Sequence, residues 1–297
     1  MNHCNAAIGR STLTHRCLTL LLLVRLPLLC CTSPRSRSAL IPEYIWRMYS
    51  WRQMDFDFAA SQMVDLLLRP SEVSKTTRIR KQIKNQWARD DPAFVLLLGG
   101  IILATTLAYA VCFQAWNPLH LVRLLIGGLV FEYLLCGAAI ATALRLYVNA
   151  HMRIQRVHAV EQSVEWLYAF DVHCNALLVA FLLVAPAQYG LIPVVAVAAP
   201  AAPSLFATVL ANTLWLAGLA LYSYITFLGY SALPFIHRHE RLFHPMGAAL
   251  LLYLLLLLLN FNVSTFFLDV YFGHSHREGL QGKIDDALAM EIGTPGR

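Results

Sequence analysis

Charge is what this sequence has least of: Lys, Arg, Asp and Glu supply 13% of its 297 residues, against 58% hydrophobic ones. Soluble domains carry about 25% charged residues, so roughly half the usual solvating surface is missing and a soluble globular fold is excluded. Cysteine chemistry is missing too. Of seven cysteines, Cys4, Cys17, Cys30 and Cys31 crowd into the first tenth of the chain, while Cys112, Cys136 and Cys174 fall in or beside apolar runs. There is no CxxC pair, hence neither a disulfide framework nor a zinc knuckle, and a free cysteine inside a span is a small hydrophobe. The net charge of +6 would suit nucleic acid or anionic lipid. The basic residues sit beside apolar runs rather than in a domain of their own, so no nucleic acid is expected and the lipid bilayer is the expected partner.

What is present is apolar length. A bilayer core of roughly 30 Å takes about 20 residues of helix, and five segments reach or approach that: Ala93–Phe113, Leu121–Leu146, Leu167–Ala185, Leu205–Leu228 and Met246–Leu268. The stretch Pro186–Ser204 is apolar as well, but Pro186, Pro193, Pro200 and Pro203 interrupt it, which predicts a loop or a re-entrant segment. The fold class is therefore all-α: a polytopic helical membrane protein with five transmembrane helices (93–268), preceded by an amphipathic and basic helical region (44–92). Residues 1–43 form an N-terminal extension and residues 269–297 a tail.

Counting Lys and Arg sets the orientation. Arg69, Lys75, Arg78, Arg80, Lys81, Lys84 and Arg89 precede the first span. The next connection, 114–120, carries none; the second carries Arg145, Arg153 and Arg156; 186–204 carries none; the fourth carries Arg238 and Arg241. Basic and bare connections alternate, so the N-terminal region is expected in the cytosol and the C-terminus in the lumen. The extreme N-terminus fits this scheme poorly. Leu18–Cys31 follows Arg10, His15 and Arg16 like a signal-peptide core, yet Arg25 and Pro27 interrupt it. An interfacial segment, a targeting extension and translated sequence that the working protein lacks all stay open.

The run Lys84–Phe94, KNQWARDDPAF, sets Arg89, Asp90 and Asp91 directly against the first span. A carboxylate of Asp90 or Asp91 can accept the unpaired N–H groups of a starting helix, and Pro92 suits its first position. Both acids complement the positive end of the helix dipole, and Trp87 suits the headgroup level. Upstream, Tyr49, Phe56, Ala59, Met63 and Leu67 recur at helical spacing near Trp46 and Trp51. That face either lies in the membrane interface or packs on the spans. KTTRIRKQIK after it offers a basic surface to anionic lipid, or serves only as an orientation signal.

Four strings, RQMDFDFAASQM (Arg52–Met63), RKQIKNQWARDDPAF (Arg80–Phe94), VEWLYAFDVHCNA (Val164–Ala176) and NTLWLAGLALYSYITFLGYSALPF (Asn212–Phe235), resemble the signatures of the uncoordinated-fifty family. The resemblance runs from about Tyr44 to Gly273; the first forty or so residues, the tail and Pro186–Ser204 depart from it. It implies a Golgi or endoplasmic-reticulum multi-pass protein that supports transport of membrane receptors to the cell surface, linked to exchange factors for Arf GTPases. It also implies no catalytic reaction and no cofactor. Arg52, Asp55, Arg80, Lys81, Lys84, Trp87, Arg89, Asp90 and Asp91 are the expected docking residues on the cytosolic side.

Polar residues inside spans are functional candidates by default. Tyr168, Asp171 and Asn175 share one helix face, downstream of Glu165, and His173 lies on another side nearer Trp166 and Phe170. Glu132 sits near the middle of the second span, with Asn212, Tyr222 or His173 as conceivable partners. Glu132 and Asp171 support the alternative of a small proton-coupled transporter, against which stands the lack of any internal repeat. A histidine-ligated metal is disfavoured. His237, His239 and His244 fall across the membrane from His274 and His276, and HxxHH spacings are absent. One sequon, Asn262–Val263–Ser264, falls inside the fifth span.

Overall fold

A computed structural model describes residues 44, 46–48, 50, 52, 54–113, 115, 117–154, 162–197 and 205–273. The N-terminal extension, Arg156, Pro200, Pro203, His274, His276 and the rest of the tail lie outside these residues. The described chain is all-α: among the described residues there is no strand, only the isolated antiparallel bridge Arg153–Ile236. Two short helices, α1 (Phe56–Leu68) and α2 (Pro70–Lys84), lead into α3 (Ala93–Cys112), α4 (Pro118–His151), α5 (Trp166–Val197), α6 (Leu205–Ser231) and α7 (His244–Leu258, entered through the 3-10 turn His239–Phe243). These five are long and apolar enough to cross a membrane. A shorter apolar helix, α8 (Val263–Gly273), follows.

Local chemistry sets most of the helix ends. Asp55 caps α1 through a 2.9 Å bond from the Phe58 N–H, and Pro70 opens α2 where no N–H is needed. Asn85 ends α2 in the left-handed region, with φ 54°. Asn117 caps α4 just ahead of Pro118, accepting from the Leu119 N–H at 3.1 Å. Gly127–Cys136, in the middle of α4, is wound as a π-helix.

Helix α5 is the hub, and small residues let its neighbours approach. A Cβ on Gly218 of α6 would lie 2.4 Å from Val184 Cγ2, and one on Gly229 would lie 2.8 Å from Val172 Cγ2. On the α4 side, a Cβ on Gly137 would lie 2.8 Å from His173 Nε2. Phe94, Leu98, Tyr133, Val172, Cys174, Leu178 and Tyr230 fill the core between these helices. The Tyr133 hydroxyl is satisfied there by the Val95 carbonyl at 3.0 Å.

Three expectations change. Helix α5 continues to Val197 through Pro186 and Pro193, where the sequence predicts a break after Ala185. Interior prolines are tolerated in apolar helices when neighbours support the strand of backbone around them, and the Tyr109 hydroxyl of α3 donates to Ala185 O at 2.7 Å, beside Pro186. The segment predicted as one span over 246–268 is two helices. Asn260 takes φ 47°, its N–H reaches Leu257 O at 3.0 Å, and the Phe261 N–H reaches Leu256 O at 2.9 Å: a Schellman ending, with asparagine in the left-handed position usually given to glycine. Asn262 then caps α8, accepting from the Thr265 N–H at 3.2 Å. Finally, of the two placements open to the amphipathic stripe, α1 packs on the spans, with a shifted register. Its buried face is Ala59, Gln62, Met63 and Leu66, so the stripe passes through Leu66 and leaves Leu67 exposed.

The basic connections meet at one end of the bundle. Arg78 of α2 donates to Ser231 O at 3.1 Å, Arg241 donates to His151 O at 3.2 Å, and the Arg153–Ile236 bridge joins the two basic loops.

Candidate functional site

At that basic end, the loop between α2 and α3 turns inward rather than outward. Trp87 and Arg89 are 6% and 7% exposed. The Arg89 backbone N–H donates to Asp171 Oδ2 at 2.6 Å, its Nε donates to Gln62 Oε1 at 3.0 Å, and its Nη2 donates to Asn175 Oδ1 at 2.7 Å. Nη1 faces Asp171 Oδ1 at 3.9 Å, and the guanidinium lies 4.0 Å over the Phe94 ring. One side chain thus joins α1, the start of α3 and α5. A charge in an apolar setting is stable only when paired and hydrogen-bonded, and here the planar fork of arginine reaches two acceptors at once. Asp171 and Asn175 are four residues apart on α5, so both face the same way. Tyr168, one turn earlier, donates to Gly229 O at 2.6 Å.

Trp87 closes the cluster from outside. Its ring meets Tyr168 and Phe235 edge-on, at 6.4 and 6.1 Å between centroids, and Lys81 Nζ stands 5.5 Å above it. The tryptophan is therefore a packing residue inside the protein, not a headgroup anchor. Burial holds the half-buried Arg80 guanidinium below its usual pKa, and nearby Arg89 pushes the same way.

The two acids at the head of α3 have separate duties. Asp91 accepts from the Ala93 N–H at 3.0 Å and, through its other oxygen, from the Asp55 N–H at 2.8 Å. Since Asp55 caps α1, the two helix starts are locked together. Asp90 instead pairs with Lys84. Of the expected docking residues, Arg52, Asp55 and Lys84 are exposed, and Arg80, Lys81, Asp90 and Asp91 are partly so. Trp87 and Arg89 are buried and unavailable to a partner. Glu165 is half-buried at the start of α5, where its carbonyl accepts from the Ala169 N–H.

The remaining polar residues lie deeper in the spans. Glu132, on the π-helical stretch of α4, accepts from the Tyr271 hydroxyl of α8 and from none of the partners predicted for it. His173 Nδ1 pairs with the Tyr222 hydroxyl at 2.8 Å. Asn212 serves the α7–α8 break: its Nδ2 donates to Phe261 O at 2.8 Å, and its Oδ1 accepts from the Val263 N–H at 3.0 Å. Backbone freed inside an apolar segment must find partners within the protein, and this one amide supplies both. Glu132 and Asp171 share no hydrogen-bond partner among the described residues. Between α3, α4, α5, α6, α7 and α8 lies a cavity of about 550 Å³, onto which Glu132, Tyr271, Tyr222 and Asn212 all open. The sequence reading missed Gln62, whose place on the buried stripe of α1 was a signal. It also missed Tyr271, for which there was none.

Comparison with known proteins places these residues in a family. The UNC-50 family model matches residues 44–272, a range that includes every junction residue described above. The Dictyostelium discoideum protein unc-50 homolog is 37% identical over 235 residues, covering 79% of this chain and 88% of its own. The Homo sapiens protein unc-50 homolog is 36% identical over 220 residues, 74% and 82% of the two chains. Caenorhabditis elegans protein unc-50 is 34% identical over 250 residues, 84% and 79%. No solved structure matches the chain.

Proposed function

This chain belongs to the UNC-50 family, and from that membership we propose that it is a multi-pass protein of Golgi or endoplasmic-reticulum membranes that acts as an adaptor in vesicular transport of membrane proteins to the cell surface. In this reading the α1–α2 end faces the cytosol and engages exchange factors for Arf GTPases, membrane receptors are the cargo, and the C-terminus is lumenal. The gathering of Arg78, Arg153 and Arg241 at the α1–α2 end supports that orientation, because cytosolic connections carry the excess of Lys and Arg.

The observation that carries the reading is the Arg89 junction. It fixes α1 and the α2–α3 loop to the spans through buried polar bonds, which makes the basic end a rigid platform while leaving Arg52 and Lys84 exposed on it. A proton-coupled carrier built on Glu132 and Asp171 fits less well, because the two acids bond to different elements and Asp171 is spent on the junction. Proximity labelling from the α1–α2 end tests the proposal. Vesicle-coat and Arf exchange-factor neighbours support it, and a neighbourhood of metabolic enzymes overturns it.

A further inference from the structure

The cavity between α3 and α8 has a composition that selects its occupant. At about 550 Å³ it lies within the range of small-molecule sites, which are mainly apolar with a few placed polar groups. Phe181, Leu216, Trp215 and Phe267 represent its walls. Leu219 and Leu252, which also line it, are 40% and 54% exposed. They belong to α6 and α7, so part of the cavity's rim is formed by exposed leucines of two helices apolar enough to cross a membrane.

Charge narrows the choice. Among the described residues no Lys, Arg or His lines the cavity, so these residues offer no counter-charge to a phosphate or a fatty-acid carboxylate beside Glu132. The exposed Glu132 carboxylate keeps one oxygen on Tyr271, and among the described residues its second oxygen has no hydrogen-bond donor. The π-helical winding of α4 at Gly127–Cys136 is a local departure of the kind found at functional sites, and Glu132 lies within it. Size narrows it further. An apolar cavity of about 150 Å³ takes one benzene, so on that scale this one takes about 20 non-hydrogen atoms. That space takes the fused-ring body of one sterol, leaving its side chain at the open rim, and not two long acyl chains.

We propose that this cavity binds one neutral sterol-sized lipid drawn from the bilayer, its rings against Trp215 and Phe267 and its hydroxyl donated to the open oxygen of Glu132. The test is photolabelling of the full-length chain in membranes with a photoactivatable sterol and, in parallel, a photoactivatable two-chain phospholipid. The sterol probe should be competed at least five-fold by unlabelled sterol and should mark peptides of α4, α6 and α8, while the phospholipid probe should mark outer faces without competition. Glu132→Gln, which keeps an acceptor for Tyr271 but weakens the second site, should lower competed sterol labelling several-fold. Ala249→Trp, which fills the cavity from α7, should abolish it. Size-exclusion behaviour of both variants identifies a misfolded one, in which case the wild-type competition and adduct map decide. Adducts outside the cavity, labelling that sterol does not compete, or equal competed labelling by the phospholipid overturns the proposal.

Discussion

Arg89 and Asp171 meet twice: the Arg89 backbone N–H bonds Asp171 Oδ2 at 2.6 Å, and the guanidinium Nη1 faces Asp171 Oδ1 at 3.9 Å. The arginine that marks the door of the first span is thus part of the protein's interior, and its acid partner comes from the third span, 82 residues later.

Removing one member of such a pair leaves the other charge buried without its counter-charge, a change that costs up to about 3–5 kcal/mol. Arg89→Ala and Asp171→Ala should each lower the thermal midpoint of the detergent-purified protein strongly. The double variant should lie well above the sum of the two losses, because it buries no orphan charge. Additive losses would show that the pair is not coupled. Arg89→Lys should also be costly, since an ammonium cannot hold Gln62 and Asn175 with the same fork.

Asn212 makes a second, independent prediction. Asn212→Leu removes both partners of the α7–α8 break, and each unsatisfied buried backbone group costs about 1–3 kcal/mol. The variant should lose stability and speed hydrogen exchange at Val263, whose N–H loses its acceptor, while leaving exchange in α1 unchanged. Exchange that stays slow at Val263 would contradict the clamp.

Close packing of α5 on α6 can be tested by size. Gly218→Ala sets a methyl 2.4 Å from Val184 Cγ2, an overpacking that costs about 1–3 kcal/mol. Val184→Ala in the same chain should recover most of the loss, and failure to recover would place the cost elsewhere.

The sequence made the spans legible because hydropathy is a local property: each of the five predicted segments contains or overlaps an apolar helix. The cap at the head of α3 was legible in kind, with Asp91 rather than Asp90 taking the Ala93 N–H. The α7–α8 break also left a signal, asparagines at 260 and 262 within a leucine-rich run, but hydropathy averages over it. What stayed hidden depends on contacts distant in sequence. Counting basic residues cannot separate an arginine that faces water from Arg89, whose partners lie on α1 and α5. Nor can it pair Glu132 with Tyr271, 139 residues away. Pro186 misleads in the same way, because the bond beside it comes from Tyr109 on another helix.

The sequon at Asn262 tests topology. Asn262 is 3% exposed and caps α8, so it should carry no glycan even on a lumenal segment. A sequon engineered near Gly282 should be modified, and one placed within 69–84 should not. Modification of the basic segment with an unmodified tail would invert the chain and end the argument for cytosolic docking.

The most direct measurement is recovery of Arf exchange factors with the intact chain from solubilised Golgi membranes, comparing wild type with Arg52→Glu combined with Lys84→Gln. Both positions are exposed, so the variant should reach wild-type levels in the membrane. Recovery of the exchange factor should then fall several-fold, with slower delivery of receptors to the cell surface. Undiminished recovery at equal expression, or no exchange factor bound to the wild-type chain, would contradict the account.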